Sequence, residues 1–235
     1  MSVISPDQSF DARPRRPRHH ATAAAPEQAA SDNLHDALKN LDRAGIAGPP
    51  LFLLIWIVLG LLDSSYSFLT GHGSDLALGP LGWVMTLNFL VVGVLVAALG
   101  IGRLTGGQLV VGALVILVGL GLFVSGIFTA DRQGAPVTTS GTIHNAAFPL
   151  VQLAIVLTAV AGAVLGRGAW RLFSAITALL IVALTLVFLT IGSERHDPLF
   201  FMSGLIQLAI VAAGFGWLTV LALRAGAGRP RAATA

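Results

Sequence analysis

The sequence predicts an all-α fold: a polytopic transmembrane helix bundle of six spans with both termini cytoplasmic. Three observations predict it. Six apolar runs are each long enough to cross a bilayer, apolar residues make up 55% of the chain against 11% charged, and the arginines are unevenly placed. A soluble domain carries roughly 25% charged residues. This chain lacks the polar groups to cover a surface in water, so lipid is its expected solvent.

The chain opens on a stretch, residues 1–48, with no apolar run. The segment Arg13-Pro14-Arg15-Arg16-Pro17-Arg18-His19-His20 is basic and broken by proline. It cannot build a core and predicts a disordered tail. No apolar segment follows Arg15-Arg16 within reach, so neither a secretory nor a twin-arginine leader is expected. Ser31 to Leu41 places Leu34, Leu38 and Leu41 on one face, with Ser31 or Asp32 as cap. That pattern predicts a short interfacial helix.

The six runs cover about 50–69, 81–101, 108–129, 143–165, 170–191 and 199–223, and residues 226–235 form a short cytoplasmic tail. At 1.5 Å per residue each run spans roughly 30 Å of hydrocarbon. Only helices satisfy the backbone there. Gly79-Pro80, Thr139-Ser140 and Asp197-Pro198 mark the starts of the second, fourth and sixth spans. Gly112, Gly119 and Gly126 recur every seven residues in the third run. This bare stripe lets a neighbour approach closely and predicts a central place for span three.

Orientation follows from the basic residues. Alternating topology puts twelve of the fourteen arginines and lysines on one side and only Arg132 and Arg195 on the other. The basic side is the cytoplasmic one. Trp83 and Trp217 are expected as aromatic anchors near the two interfaces.

The acidic residues and histidines sort the opposite way. Beyond the first 48 residues the carboxylates are Asp63, Asp75, Asp131, Glu194 and Asp197, and the histidines are His72, His144 and His196. All are expected at or near the outer face. Within the spans, Asp63, Asn88, Ser125, Gln152 and Gln207 also fall in the outer half, whereas inner stretches such as Leu51–Val58 are apolar. An ionisable group in hydrocarbon costs about 2.5–3.5 kcal/mol on insertion scales, and an unpaired amide also costs kilocalories. Such groups should face one another or a wet cavity. Asp63, Asn88, Asp131, His144, Gln152 and Gln207 are therefore the candidate lining of an outer polar pocket, closed below by an apolar plug.

Several stretches resemble a known family. The run Ser74-Asp75-Leu76-Ala77-Leu78-Gly79-Pro80-Leu81-Gly82-Trp83, with Asn88-Phe89 and Gly93, is one. Gly119-Leu120-Gly121-Leu122-Phe123, Asp131, Gly134-Ala135-Pro136, Gly141 and His144 form a second. Gly204-Leu205-Ile206-Gln207, Gly214-Phe215-Gly216-Trp217 and Arg224 form a third. Over roughly residues 50–225 the chain resembles the "domain of unknown function 998" family of bacterial membrane proteins. The resemblance implies a six-helix integral membrane protein with no established biochemical activity. The family pattern carries an arginine after the last-span glutamine, where this chain has Leu208.

Three functional readings follow. The first is a non-enzymatic component of the cell membrane, a scaffold or a lipid- or ligand-binding protein using the outer pocket. The second is an extracytoplasmic hydrolase, metal-dependent or not, built on outer histidines and aspartates; His72, Asp131 and His144 are its candidate metal ligands, although they lack a recognised ligand spacing. The third, a small-solute transporter, would need polar lining through both halves of the membrane and commonly an internal repeat. Asp131 beside Arg132 reads as a solvated ion pair, Asp75 as the cap of a short turn, and Asp197 as the cap of span six. Expected partners are membrane lipids and either another membrane protein or a second copy of the chain. Neither nucleic acid nor a cofactor is expected, and the absence of cysteine excludes thiolate metal sites.

Overall fold

A computed structural model describes residues 24–132, 134–191 and 200–227. Among the described residues the regular elements are all helical. They are α1 (Ala24–Leu62), a 3₁₀ segment (Gly73–Leu78), α2 (Gly82–Thr105), α3 (Leu109–Ile127), α4 (Thr139–Leu165), α5 (Gly168–Ile191), a 3₁₀ turn (Phe200–Met202) and α6 (Ser203–Ala227). Each of the six α-helices contains an apolar stretch long enough to cross a membrane. Residues to Ala37 form one unit and Leu38–Ala235 another.

The first span differs from the sequence reading at both ends. Its membrane-length segment runs Asn40–Leu62, so it starts ten residues earlier and stops before Asp63. Pro49 and Pro50 lie inside α1, because membrane helices tolerate proline where neighbouring groups satisfy the freed backbone. Helix already begins by Ala24 and runs on to Leu62, so it extends beyond the short Ser31–Leu41 helix expected in that stretch. The arginine-rich segment 13–20 lies outside the described residues. So do Glu194, Arg195, His196, Asp197, Arg229 and Arg231.

Successive helices α2 to α6 pack in chain order, and α4 also touches α6. The closest approach is between α2 and α3. A Cβ on Gly119 would meet Ala97 N at 2.5 Å and Gly93 O at 2.6 Å, and one on Gly93 would meet Phe123 N at 2.7 Å. Gly100 and Gly112 repeat the arrangement, each with a carbonyl of the other 2.8 Å from its missing Cβ. Lipid tails are as apolar as leucine, so such backbone contact is what holds neighbouring spans together. The stripe seats α3 on α2, and α3 also packs on α4. The glycines serve one neighbour only, and Leu117 and Leu120 on another face of α3 are exposed.

The core runs through Phe52 and Trp56 of α1, Met85, Phe89 and Val92 of α2, Val115 and Val118 of α3, Ile155 of α4, Ile181 of α5, and Ile210, Phe215 and Leu218 of α6. Leu54, Leu87, Leu150, Leu179 and similar residues point outward, as a lipid-facing belt requires. Trp83 is exposed, but Trp217 is buried. Its indole N–H donates to Ser174 Oγ at 3.0 Å, and its ring stacks on Trp170 at 5.2 Å. Trp217 is therefore a core residue rather than an interfacial anchor.

Polarity is divided between the two ends. The connections 63–81 and 128–138 close one end and carry Asp63, Asp75 and Asp131. The short connections 106–108 and 166–167 and the end of α6 close the other, with Arg103, Arg167 and Arg224.

Candidate functional site

The connection 63–81 folds over the acidic end by local hydrogen bonds. Asp63 follows the last residue of α1, and its carboxylate accepts from Ser65 N at 3.0 Å and Ser65 Oγ at 2.6 Å. These two bonds, the side-chain one first, hold its carboxyl below the usual carboxylate range. The Asp63 carboxylate sits in a turn outside the span and is not buried in it. Trp56 Nε1 donates to the Tyr66 hydroxyl at 2.8 Å, which donates to the Gly71 carbonyl at 2.8 Å. Burial pushes the Tyr66 phenol up to about 12, and the Trp56 donor opposes the shift. Asp75 accepts the His72 backbone N–H at 2.7 Å and so caps the 3₁₀ segment, as its position suggested.

The same connection caps α6. Gly204 N and Leu205 N donate to the Leu69 carbonyl at 2.8 and 3.3 Å, and Gln207 accepts the Gly73 N–H at 2.9 Å. The first N–H groups of a helix have no partner within it, and here a distant loop supplies one. The α-helical part of span six starts at Ser203.

On the far side, Thr138 caps α4, its hydroxyl accepting from Gly141 N at 3.1 Å. Asp131 accepts from Thr138 N at 2.8 Å and Thr138 Oγ1 at 2.7 Å. These bonds, backbone first, keep the Asp131 carboxyl below its ordinary value. The carboxylate occupies the space a Cβ on residue 141 would need, which explains Gly141. Arg132 donates to the Leu78 carbonyl at 3.2 Å instead of pairing with Asp131. The ion-pair reading of these neighbours is thereby corrected.

Beneath these caps lies a cavity of about 430 Å³, within the range of small-ligand pockets. Its wall is largely aromatic. Phe52 packs edge-on to Phe89 at 5.0 Å and to Phe215 at 5.2 Å, and Phe148 lies 5.5 Å from Phe188. Edge-to-face contacts of this kind add roughly 0.5–1.5 kcal/mol each beyond burial. The polar lining comes from His72, Ser74, Ser125, His144, Asn145, Gln152 and Gln207. Among the described residues no aspartate, glutamate, lysine or arginine lines it.

The two histidines are held differently. His144 Nδ1 lies 3.1 Å from the Ser125 carbonyl and 2.8 Å from that of Phe128. Two acceptors place the hydrogen on Nδ1, so the neutral ring keeps Nε2 as an acceptor. His72 packs edge-on to Phe188 at 5.4 Å. Burial pushes its imidazole below the ordinary value, against the opposing charge of Asp75. His72 Nε2 and Gln152 Oε1 are buried and have no hydrogen-bond partner among the described residues. Pro149 stands in α4 four residues after Asn145, so the Asn145 carbonyl lacks its helical donor. The cavity is thus rich in acceptors.

Of the six residues the sequence grouped, His144, Gln152 and Gln207 line this cavity. Asn88 is buried beside it: Nδ2 donates to the Phe52 carbonyl at 3.2 Å, and Oδ1 is left without a partner. Asp63 lines a separate surface recess with Asp75 and Arg132, and Asp131 serves the α4 cap. The metal candidates His72, Asp131 and His144 do not form one cluster, and no other three His, Asp or Glu side chains among the described residues do. The sequence reading missed the aromatic wall. One signal was there: His144, Phe148 and Gln152 recur every four residues and share one face of α4.

No curated protein and no solved structure matches the chain. The family described as "Protein of unknown function (DUF998)" matches residues 46–224. That match takes in all six membrane-length helices, whole or nearly so, and the chain belongs to this family of membrane proteins.

Proposed function

We propose that this protein is a non-catalytic component of the cell membrane that binds a neutral, hydroxyl-bearing amphiphile in the aromatic cavity. The observation that carries the reading is the pair of buried polar atoms left without a partner, His72 Nε2 and Gln152 Oε1, in a chamber with an aromatic wall. A buried polar atom without a partner costs about 1–3 kcal/mol, and a ligand hydroxyl would relieve that cost at both positions. The described lining is uncharged and favours a neutral ligand, because an ion against it would lose its hydration without gaining a counter-ion. The aromatic wall suits an acyl or isoprenoid portion.

Binding is favoured over proton transfer because the acids are engaged elsewhere. Asp75 and Asp131 accept from backbone N–H groups, and His144 is oriented by carbonyls rather than by a carboxylate. Binding is favoured over passage because Phe52, Phe89 and Phe215 close the deep end. The twelve-to-two bias of basic residues puts the cavity toward the extracytoplasmic leaflet. Reporter fusions at Gly134 that lie outside the cytoplasm accord with this orientation; cytoplasmic activity there refutes it.

The test compares a monoacylglycerol with the methyl ester of the same fatty acid, using purified protein in phosphatidylcholine nanodiscs. The wild type should prefer the monoacylglycerol by about fivefold or more, one net hydrogen bond's worth. Gln152→Leu should abolish the preference. Equal binding of the two probes by the wild type refutes the proposal.

A further inference from the structure

The opposite end of the bundle holds a second and larger cavity, of about 730 Å³, that the proposed ligand site does not involve. It opens among the α2–α3 connection, the α4–α5 connection and the last turns of α6. Arg103, Arg167, Arg224 and Gln108 supply its polar groups, and Leu109, Val110, Leu165, Trp170 and Leu221 supply apolar wall.

The arginines are not equivalent. Arg103 is buried and its guanidinium is paired with Asp42. Arg167 and Arg224 are exposed, and neither forms an ion pair with a carboxylate among the described residues. Arg224 lies over the Trp170 ring with its guanidinium carbon 4.8 Å from the ring centroid, and Trp170 in turn stacks on the buried Trp217. A cation–π contact fixes the position of Arg224 while leaving the edge of its guanidinium fork open. Asp42 is the one carboxylate that the sequence places at this end between residues 38 and 191, and it is already matched. The site therefore carries unbalanced positive charge over an apolar floor.

We propose that this cavity seats the headgroup of an anionic phospholipid, with Arg167 and Arg224 on the phosphate and the first acyl methylenes against Leu109, Val110 and Leu165. Charge complementarity and the join of cationic rim to apolar wall select a lipid over a soluble anion. A soluble anion would leave the wall uncovered. A basic pocket between spans is the arrangement that anionic headgroups recognise.

The experiment reconstitutes the full chain in nanodiscs of phosphatidylcholine with a minority of phosphatidylglycerol and counts retained lipid by native mass spectrometry. The wild type should retain phosphatidylglycerol in preference to phosphatidylcholine. Arg167→Gln and Arg224→Gln should each reduce that preference about fivefold, the effect of one arginine near a membrane surface. Arg171→Gln, which changes an arginine outside the cavity, should leave it unchanged. Arg224→Lys keeps the charge and should retain most of it. Equal retention of the two lipids by the wild type, which needs no variant to fold, overturns the proposal. An equal loss in Arg171→Gln overturns it by exposing a bulk charge effect, and displacement of phosphatidylglycerol by inorganic phosphate overturns it in favour of a soluble anion.

Discussion

Gln207 of the last span accepts the backbone N–H of Gly73 at 2.9 Å, across 134 residues of sequence. The bond locks the connection that carries His72 onto α6, at the rim of the aromatic cavity. Gln207→Leu leaves the buried Gly73 N–H without an acceptor. The expected cost is about 1–3 kcal/mol, read as a lower unfolding midpoint in detergent. It should be accompanied by faster hydrogen exchange at Gly73. An unchanged midpoint and exchange rate would show that the bond does not hold the loop.

The backbone contact of α2 with α3 predicts a contrast between two glycines. Gly119→Ala drives a methyl against Ala97 N and Gly93 O; these are backbone atoms, which cannot swing aside. It should destabilise the protein by about 1–3 kcal/mol, as overpacking does. A Cβ on Gly216 would meet nothing within 4 Å, so Gly216→Ala should be neutral or slightly stabilising through helix propensity. Thermal unfolding of the two variants in one detergent decides it.

Acid should act through the caps and His72. The carboxyls of Asp63 and Asp131 lie below their ordinary value in the fold. Their contribution is fully present above about pH 4 and is lost as pH falls through the lowered folded values. Asp131→Ala should therefore flatten the acid limb of the stability curve. The His72 imidazole is also lowered, so its contribution is present above about pH 6.5 and is lost as pH falls through the folded value. His72→Gln should flatten the curve below about pH 6.5.

The buried Asp42–Arg103 pair ties α1 to α2. Arg103→Leu takes away the guanidinium that faces Asp42 and should cost about 3–5 kcal/mol. The double variant Asp42→Leu Arg103→Leu should recover most of that loss, because apolar residues fill such a site at little cost. A double variant as unstable as the single one would refute this account.

The family stretches and the vertical sorting of polarity were legible along the chain, because both are written in residue order. Gln152 was legible as a pocket residue because it stands alone in an apolar run, where a polar side chain must find company. Asp63 was misplaced for a local reason. Tyr66, Phe68 and Leu69 prolong the apolar run past the end of α1, and the Ser65 bonds that stop the helix at Asp63 are a matter of turn geometry. Asp131 was misassigned because its neighbour in sequence, Arg132, is not its partner in space.

Residue order by itself determined that the chain folds in lipid, as six helices, with carboxylates toward one end and arginines toward the other. Hydrocarbon permits no other use of such runs. Only tertiary structure decided which side chains meet. Phe52, Phe89 and Phe215 come from three helices, and Gly73 and Gln207 from opposite ends of the span order. Such contacts depend on helix rotation and close approach, which period and composition leave open.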